Sequence, residues 1–103
     1  MRYVVLHHTG WKQDHFDLML EDENNVEGPL LTWRLDAFPF AKKIEALPPH
    51  RRIYLMYEGP VSGNRGLVRR VAEGNYIVLS RGDGLMIVRL LPDVGPIRLP
   101  LID

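Results

Sequence analysis

Along most of the chain, apolar and polar residues alternate with the two-residue period of half-buried strands. The clearest case is His15-Phe16-Asp17-Leu18-Met19-Leu20-Glu21. In a strand, Phe16, Leu18 and Leu20 point one way, and His15, Asp17, Met19 and Glu21 the other. The same reading places strands over residues 3–8, 30–35, 53–58, 67–71, 76–80 and 85–91, with a short last one over 97–101. Thr9-Gly10-Trp11-Lys12-Gln13 reads as a polar turn, and Glu73-Gly74-Asn75 and Gly82-Asp83-Gly84 as hairpin turns. Between residues 36 and 52 the alternation breaks. There Pro39 interrupts an apolar run, and residues 41–47 can make one or two helical turns before Pro48-Pro49 stops them. Many short strands at short spacing predict an all-β fold. Its expected form is a compact antiparallel β-barrel of about six to eight strands, or a compact sandwich. The segment 36–52 is its irregular excursion.

A chain of 103 residues is expected to form one domain, residues 1–103, around one core. Hydrophobic residues make up 46% and charged ones 25%, the balance of an ordinary globular protein. With no cysteine, disulfides and thiolate metal sites are excluded, so any metal must use imidazole, carboxylate or water. The formal net charge is zero, so a nucleic-acid partner would have to be held by a local patch. Met1 leads straight into an apolar strand with no secretory pattern, and no apolar run approaches a membrane span. The expected compartment is the cytoplasm, with no membrane partner.

The chemistry gathers around one strand. A histidine and an aspartate two apart, His15 and Asp17, project side by side. With a histidine from a neighbouring strand they form a two-histidine, one-carboxylate set. Such a set suits a divalent transition metal and leaves coordination positions open. His7-His8 precedes this strand, and His50 and Tyr54 follow later. Glu21 either supports a ligand from behind or ends its strand in solvent. Arg65, Arg69 and Arg70 are candidates to track a nucleic-acid backbone.

In order along the chain, these residues resemble the 3′-phosphoesterase domain of bacterial DNA ligase D. His8 followed by His15-Phe16-Asp17-Leu18-Met19-Leu20-Glu21 is similar to that family's metal-binding strands. Leu31-Thr32-Trp33, then His50 and Tyr54 four apart, then Tyr57-Glu58-Gly59-Pro60 with Gly63 and Gly66, continue the likeness over residues 3–90. The resemblance implies a β-barrel that uses a divalent metal, manganese first and zinc or another transition metal second. It implies trimming of DNA 3′ ends by removal of a terminal 3′-ribonucleoside or 3′-phosphate. By position, His8, His15 and Asp17 would bind the metal, and His50 and Tyr54 would contact the scissile phosphate or move a proton. Arg34 and Arg51 are the candidate substrate-binding cations, and Glu21 and His7 the candidate supports of the ligands. Implied partners are DNA or RNA-terminated DNA 3′ ends, with separate ligase or polymerase repair proteins. Two family cations are replaced: Met19 stands for an arginine and Ala37 for a lysine. The His8–His15 spacing is one residue longer than in the family, which leaves His7 as the competing ligand.

Overall fold

The computed structural model describes residues 1–92 and 94–101. Eight antiparallel strands form one nearly closed, barrel-shaped sheet. They are β1 (Arg2–Thr9), β2 (His15–Leu20), β3 (Leu30–Leu35), β4 (Ile44–His50), β5 (Gly59–Pro60), β6 (Leu67–Gly82), β7 (Leu85–Leu91) and β8 (Pro96–Pro100). The order across the sheet is β4-β3-β2-β1-β6-β7-β8, with β5 on a side of β6. The curled sheet brings β4 close to β8, and the Trp33 indole N–H donates to Pro100 O at 2.6 Å across that gap.

Three expectations are corrected. Residues 67–82 are one strand, not two joined by a turn at Glu73-Gly74-Asn75. The first half of β6 pairs with β1 and the second half with β7. Gly74 serves close approach rather than reversal: a Cβ there would lie 2.1 Å from Leu91 O and 3.2 Å from the Tyr3 ring. Next, residues 41–47 are not helical. They enter β4, which runs through Pro48 and Pro49. β4 ends the hydrogen-bonded order, so proline's missing N–H is tolerated there, and the β3–β4 register breaks beside the two prolines. The irregular excursion shrinks to the β3–β4 loop. There Asp36 accepts from the backbone N–H groups of Lys42 and Lys43 at 2.8 and 3.1 Å. The Lys43 bond, chiefly, holds the Asp36 carboxyl below its ordinary value. Finally, residues 53–58 are not a strand. A single 3-10 turn, Arg52–Leu55, lies over the sheet and satisfies its backbone locally. Of its side chains only Leu55 is buried, and Ile53 faces solvent.

Because that turn covers the sheet, apolar residues pack on both faces. Tyr3, Val5, Leu18, Leu20, Trp33 and Leu35 join Met86, Val88, Leu90, Ile97 and Leu99 inside the barrel. On the opposite face of the same strands, Val4, Leu6, Met19 and Leu30 pack with Val68 beneath Leu55 and Val61. The middles of β1 and β2 are therefore buried on both faces, and His8, His15 and Asp17 sit in low dielectric. The Gly82-Asp83-Gly84 hairpin is as expected, with positive φ of 52° at Asp83 and 72° at Gly84 between β6 and β7.

Candidate metal centre

His8 is the last but one residue of β1, His15 begins β2, and the two are direct cross-strand partners. Asp17 lies two residues further along β2, on the same face. The three are 9%, 7% and 4% exposed, so the group is buried on the outer face of the sheet rather than in the barrel. One potential ligand atom from each lies within 4.8 Å of the others. His15 Nε2 is 3.2 Å from Asp17 Oδ1, and His8 Nδ1 is 3.8 Å from Oδ2.

The remaining ring nitrogens define what this cluster can hold. His8 Nε2 meets Arg65 O at 2.7 Å, and His15 Nδ1 meets Gln13 O at 3.0 Å. A carbonyl accepts only, so each of these nitrogens carries the proton. In the neutral rings, the lone pairs of His8 Nδ1 and His15 Nε2 then face the Asp17 carboxylate. Two lone pairs and a carboxylate repel unless a cation joins them. Consistent with this, Asp17 Oδ1 is buried and has no hydrogen-bond partner. The donor set could hold a metal ion: it offers imidazole nitrogens and a carboxylate, with each histidine oriented by a carbonyl behind it. The loop carrying Arg65 can reach His8 because residue 66 is glycine. A Cβ at Gly66 would sit 2.0 Å from Thr9 O.

A cleft of about 280 Å³ opens on the cluster, and His50, Tyr54, Arg34 and Met19 line it. His50 comes from the end of β4 and Tyr54 from the 3-10 turn, with ring centroids 6.3 Å apart. Both side chains line the cleft, from two different elements. His50 Nδ1 meets Pro48 O at 2.9 Å, which leaves Nε2 unengaged by that bond. Arg34 lies across from Asp17 on β3; its Nε is buried without a partner, and no carboxylate lies within 4.0 Å of it among the described residues.

Three expected site residues lie elsewhere. His7 points to the other face and stacks on Phe16 at 4.3 Å, so the longer turn leaves His8 as the histidine that faces the site. Arg51 is exposed and lies over the Tyr54 ring at 5.8 Å, outside the residues lining the cleft. Glu21 is neither a support of the ligands nor a solvated strand end. Its Oε1 accepts from Arg2 N at 2.7 Å and its Oε2 from Arg52 Nη2 at 2.5 Å. Burial pushes this carboxyl up, but the Arg52 hydrogen bond, the Arg2 N–H and both positive charges outweigh it and hold it below its ordinary value. Glu21 thus ties the 3-10 turn that carries Tyr54 to the end of β2. Trp11 and Arg65, which the sequence pattern left in turns, both line the cleft. Trp11 stacks by His8 at 5.8 Å, and its one sequence signal is a large aromatic between two histidine-bearing strands.

No helix among the described residues is long and apolar enough to cross a membrane. Comparison with protein-family models gives no match, and comparison with curated proteins gives none either.

Proposed function

We propose that this protein is a metal-dependent phosphoesterase that processes DNA 3′ ends in the cytoplasm, removing a terminal 3′-ribonucleoside or a 3′-phosphate. One observation carries the reading. A buried carboxylate with an unpartnered oxygen faces two oriented imidazole lone pairs, in a cleft that also holds His50, Tyr54 and an unpaired arginine. Hydrolysis of a phosphate ester needs charge neutralised on the non-bridging oxygens, an activated water and a proton for the leaving oxygen. A divalent ion, manganese first and zinc second, supplies the first two when bound. His8, His15 and Asp17 would hold it. Arg34 would bind the non-bridging oxygens, and the Tyr54 hydroxyl would donate to one of them. His50 would deliver the proton. In the diester reaction, a water oxygen bonds to phosphorus, the P–O5′ bond to the terminal nucleoside breaks, and O5′ leaves protonated. That step leaves a 3′-phosphate on the DNA; a second hydrolysis, in which water attacks phosphorus and the P–O3′ bond breaks, would release inorganic phosphate and leave the 3′-hydroxyl that separate ligase or polymerase proteins use.

Met19 favours a second reading. It is 1% exposed, borders the cleft and is apolar where the resembling domains carry arginine. A thioether cannot clamp a phosphate as a guanidinium does. On that reading the protein is a non-catalytic, metal-containing module that recruits DNA or a repair partner. The test is incubation of manganese-loaded protein with primer-templates ending in one 3′-ribonucleotide or in a 3′-phosphate, with products resolved on a denaturing gel. The phosphoesterase reading expects loss of the ribonucleoside from the first, abolished by His15→Ala and by His50→Ala. If metal-loaded protein leaves both ends intact, the binding-module reading replaces it.

A further inference from the structure

Beside the metal cleft lies a larger cavity of about 650 Å³ that shares Trp11, His15 and Arg34 with it. Its other walls include Lys12 from the β1–β2 turn, Lys43 at the end of the β3–β4 loop, and Glu45 on β4. The metal cleft alone is smaller than the ~300–1,000 Å³ of most small-molecule sites, whereas this cavity falls inside that range. The residues they share include one metal ligand, His15, and Arg34, whose Nε has no partner among the described residues.

We infer that the larger cavity is a nucleoside subsite, which takes the terminal nucleoside on the O5′ side of the scissile phosphate. This rests on the phosphoesterase reading for the position of the phosphate. The chemistry of the walls supports the occupant. Trp11 offers a ring for a base, and the Lys12 ammonium now 4.6 Å from it sits on an exposed, flexible side chain that a base can displace. Arg34, reaching both spaces, meets the phosphate where the two join. Glu45 is exposed and has no cation within 4.0 Å among the described residues, so its carboxylate is available to accept from a ribose hydroxyl. A ligand held only in the metal cleft would not reach Lys12, Lys43 or Glu45, whereas a nucleoside joined to the phosphate through O5′ would extend toward them.

Adenosine 5′-monophosphate is the probe, because its phosphate hangs from O5′ as the scissile phosphate does. Its affinity is measured by calorimetry in manganese buffer and in chelator, against ribose 5-phosphate, for wild type, Trp11→Ala and Lys43→Glu. Trp11 lies in a turn and Lys43 in an exposed loop, so both variants leave the two cores untouched. The expected result is nucleotide binding at least about tenfold tighter than ribose 5-phosphate, the order of one base–aromatic stack. Trp11→Ala should weaken the nucleotide about tenfold and leave ribose 5-phosphate unchanged. Lys43→Glu should weaken the nucleotide too. If the two ligands bind equally, or if neither variant changes nucleotide affinity, the subsite is overturned whatever the cleavage assays show. If the nucleotide binds as expected but no 3′ end is cleaved, the subsite stands and the phosphoesterase reading falls.

Discussion

Replacing Asp17 by asparagine should make the metal-free protein more stable while it destroys metal binding. The Asp17 carboxylate lies in low dielectric, with Oδ1 unpartnered and 3.2 Å from His15 Nε2. The Gln13 carbonyl fixes the proton on the far nitrogen of that ring, so two acceptors face each other. An asparagine amide at this position can turn its N–H toward His15 Nε2. That removes an unsatisfied acceptor, worth about 1–3 kcal/mol, and adds a hydrogen bond of about 0.5–1.5 kcal/mol. Allowing for imperfect geometry, a net gain of about 1–3 kcal/mol corresponds to a rise of at least about 4 °C in Tm for a chain of this size. Metal reverses the order. A ligand at a hundred times its Kd stabilises the protein that binds it by about 2.7 kcal/mol and leaves a non-binder unmoved. The assay is thermal unfolding by circular dichroism at about pH 8, where imidazole is ordinarily neutral, in chelator and then in manganese. Asp17→Asn should melt above wild type in chelator and should not shift with manganese, whereas wild type should shift upward. If Asp17→Asn melts below wild type in chelator, the carboxylate is already paired with a protonated histidine. The cluster then needs no metal to balance it.

The other expectations concern the parts that hold the site. Glu21→Gln should cost about 1–3 kcal/mol near pH 7, since it breaks a largely buried charged hydrogen bond to Arg52. Because the folded-state pKa of Glu21 is lowered, its contribution is present above the unfolded value of about 4.3 and is lost as pH falls through the folded value. Urea unfolding at neutral pH and near pH 3 should therefore show the gap to wild type narrowing in acid; a constant gap would refute the ion-pair account. Gly74→Ala should lose roughly 2 kcal/mol or more, because the added methyl would meet backbone at 2.1 Å. Gly82→Ala, where nothing lies within 4 Å, should stay within about 0.5 kcal/mol of wild type by chemical denaturation. Met19→Arg should raise cleavage of a 3′-phosphate more than that of a 3′-ribonucleotide diester, because the monoester carries the larger charge. It should also lower stability, since Met19 packs in the outer core; equal effects on both substrates would refute the charge argument.

What was legible in the sequence follows from what period-two alternation measures. It reports which residues share a face, and so it placed His15 and Asp17 together and gave β3 and β7 their observed ends. It does not report whether a strand is buried on one face or two. β2 is buried on both, and the covering turn at Arg52–Leu55 makes His15 and Asp17 a buried pair rather than a polar edge. Alternation also cannot tell a strand in the sheet from a segment lying on it. Ile53, Leu55 and Tyr57 alternate, yet Leu55 alone of the three is buried, because it caps the outer core. Gly74 and Pro48-Pro49 misled for a common reason. Each marks local backbone freedom or a missing donor, and whether that makes a turn, a bend or a sheet edge is decided by the strand on the other side. For β6 that strand is β7, whose Leu91 O crowds Gly74; for β4 its outer side has no hydrogen-bonded strand among the described residues.

The same limit explains the three misplaced site residues. His7 and His8 are adjacent, so they face opposite ways, and the choice between them hangs on the length of the turn from Gly10 to Gln13. Arg51 and Glu21 carry the charges a site would want, but charge alone does not say where a side chain is spent. Glu21 is spent on Arg52, one residue from Arg51, and that pairing fixes the turn from which Tyr54 reaches the cleft. The ligand set could be read from one strand pair. The residues that would act on a bound phosphate come from β3, β4 and the covering turn, and only the folded chain brings these beside it.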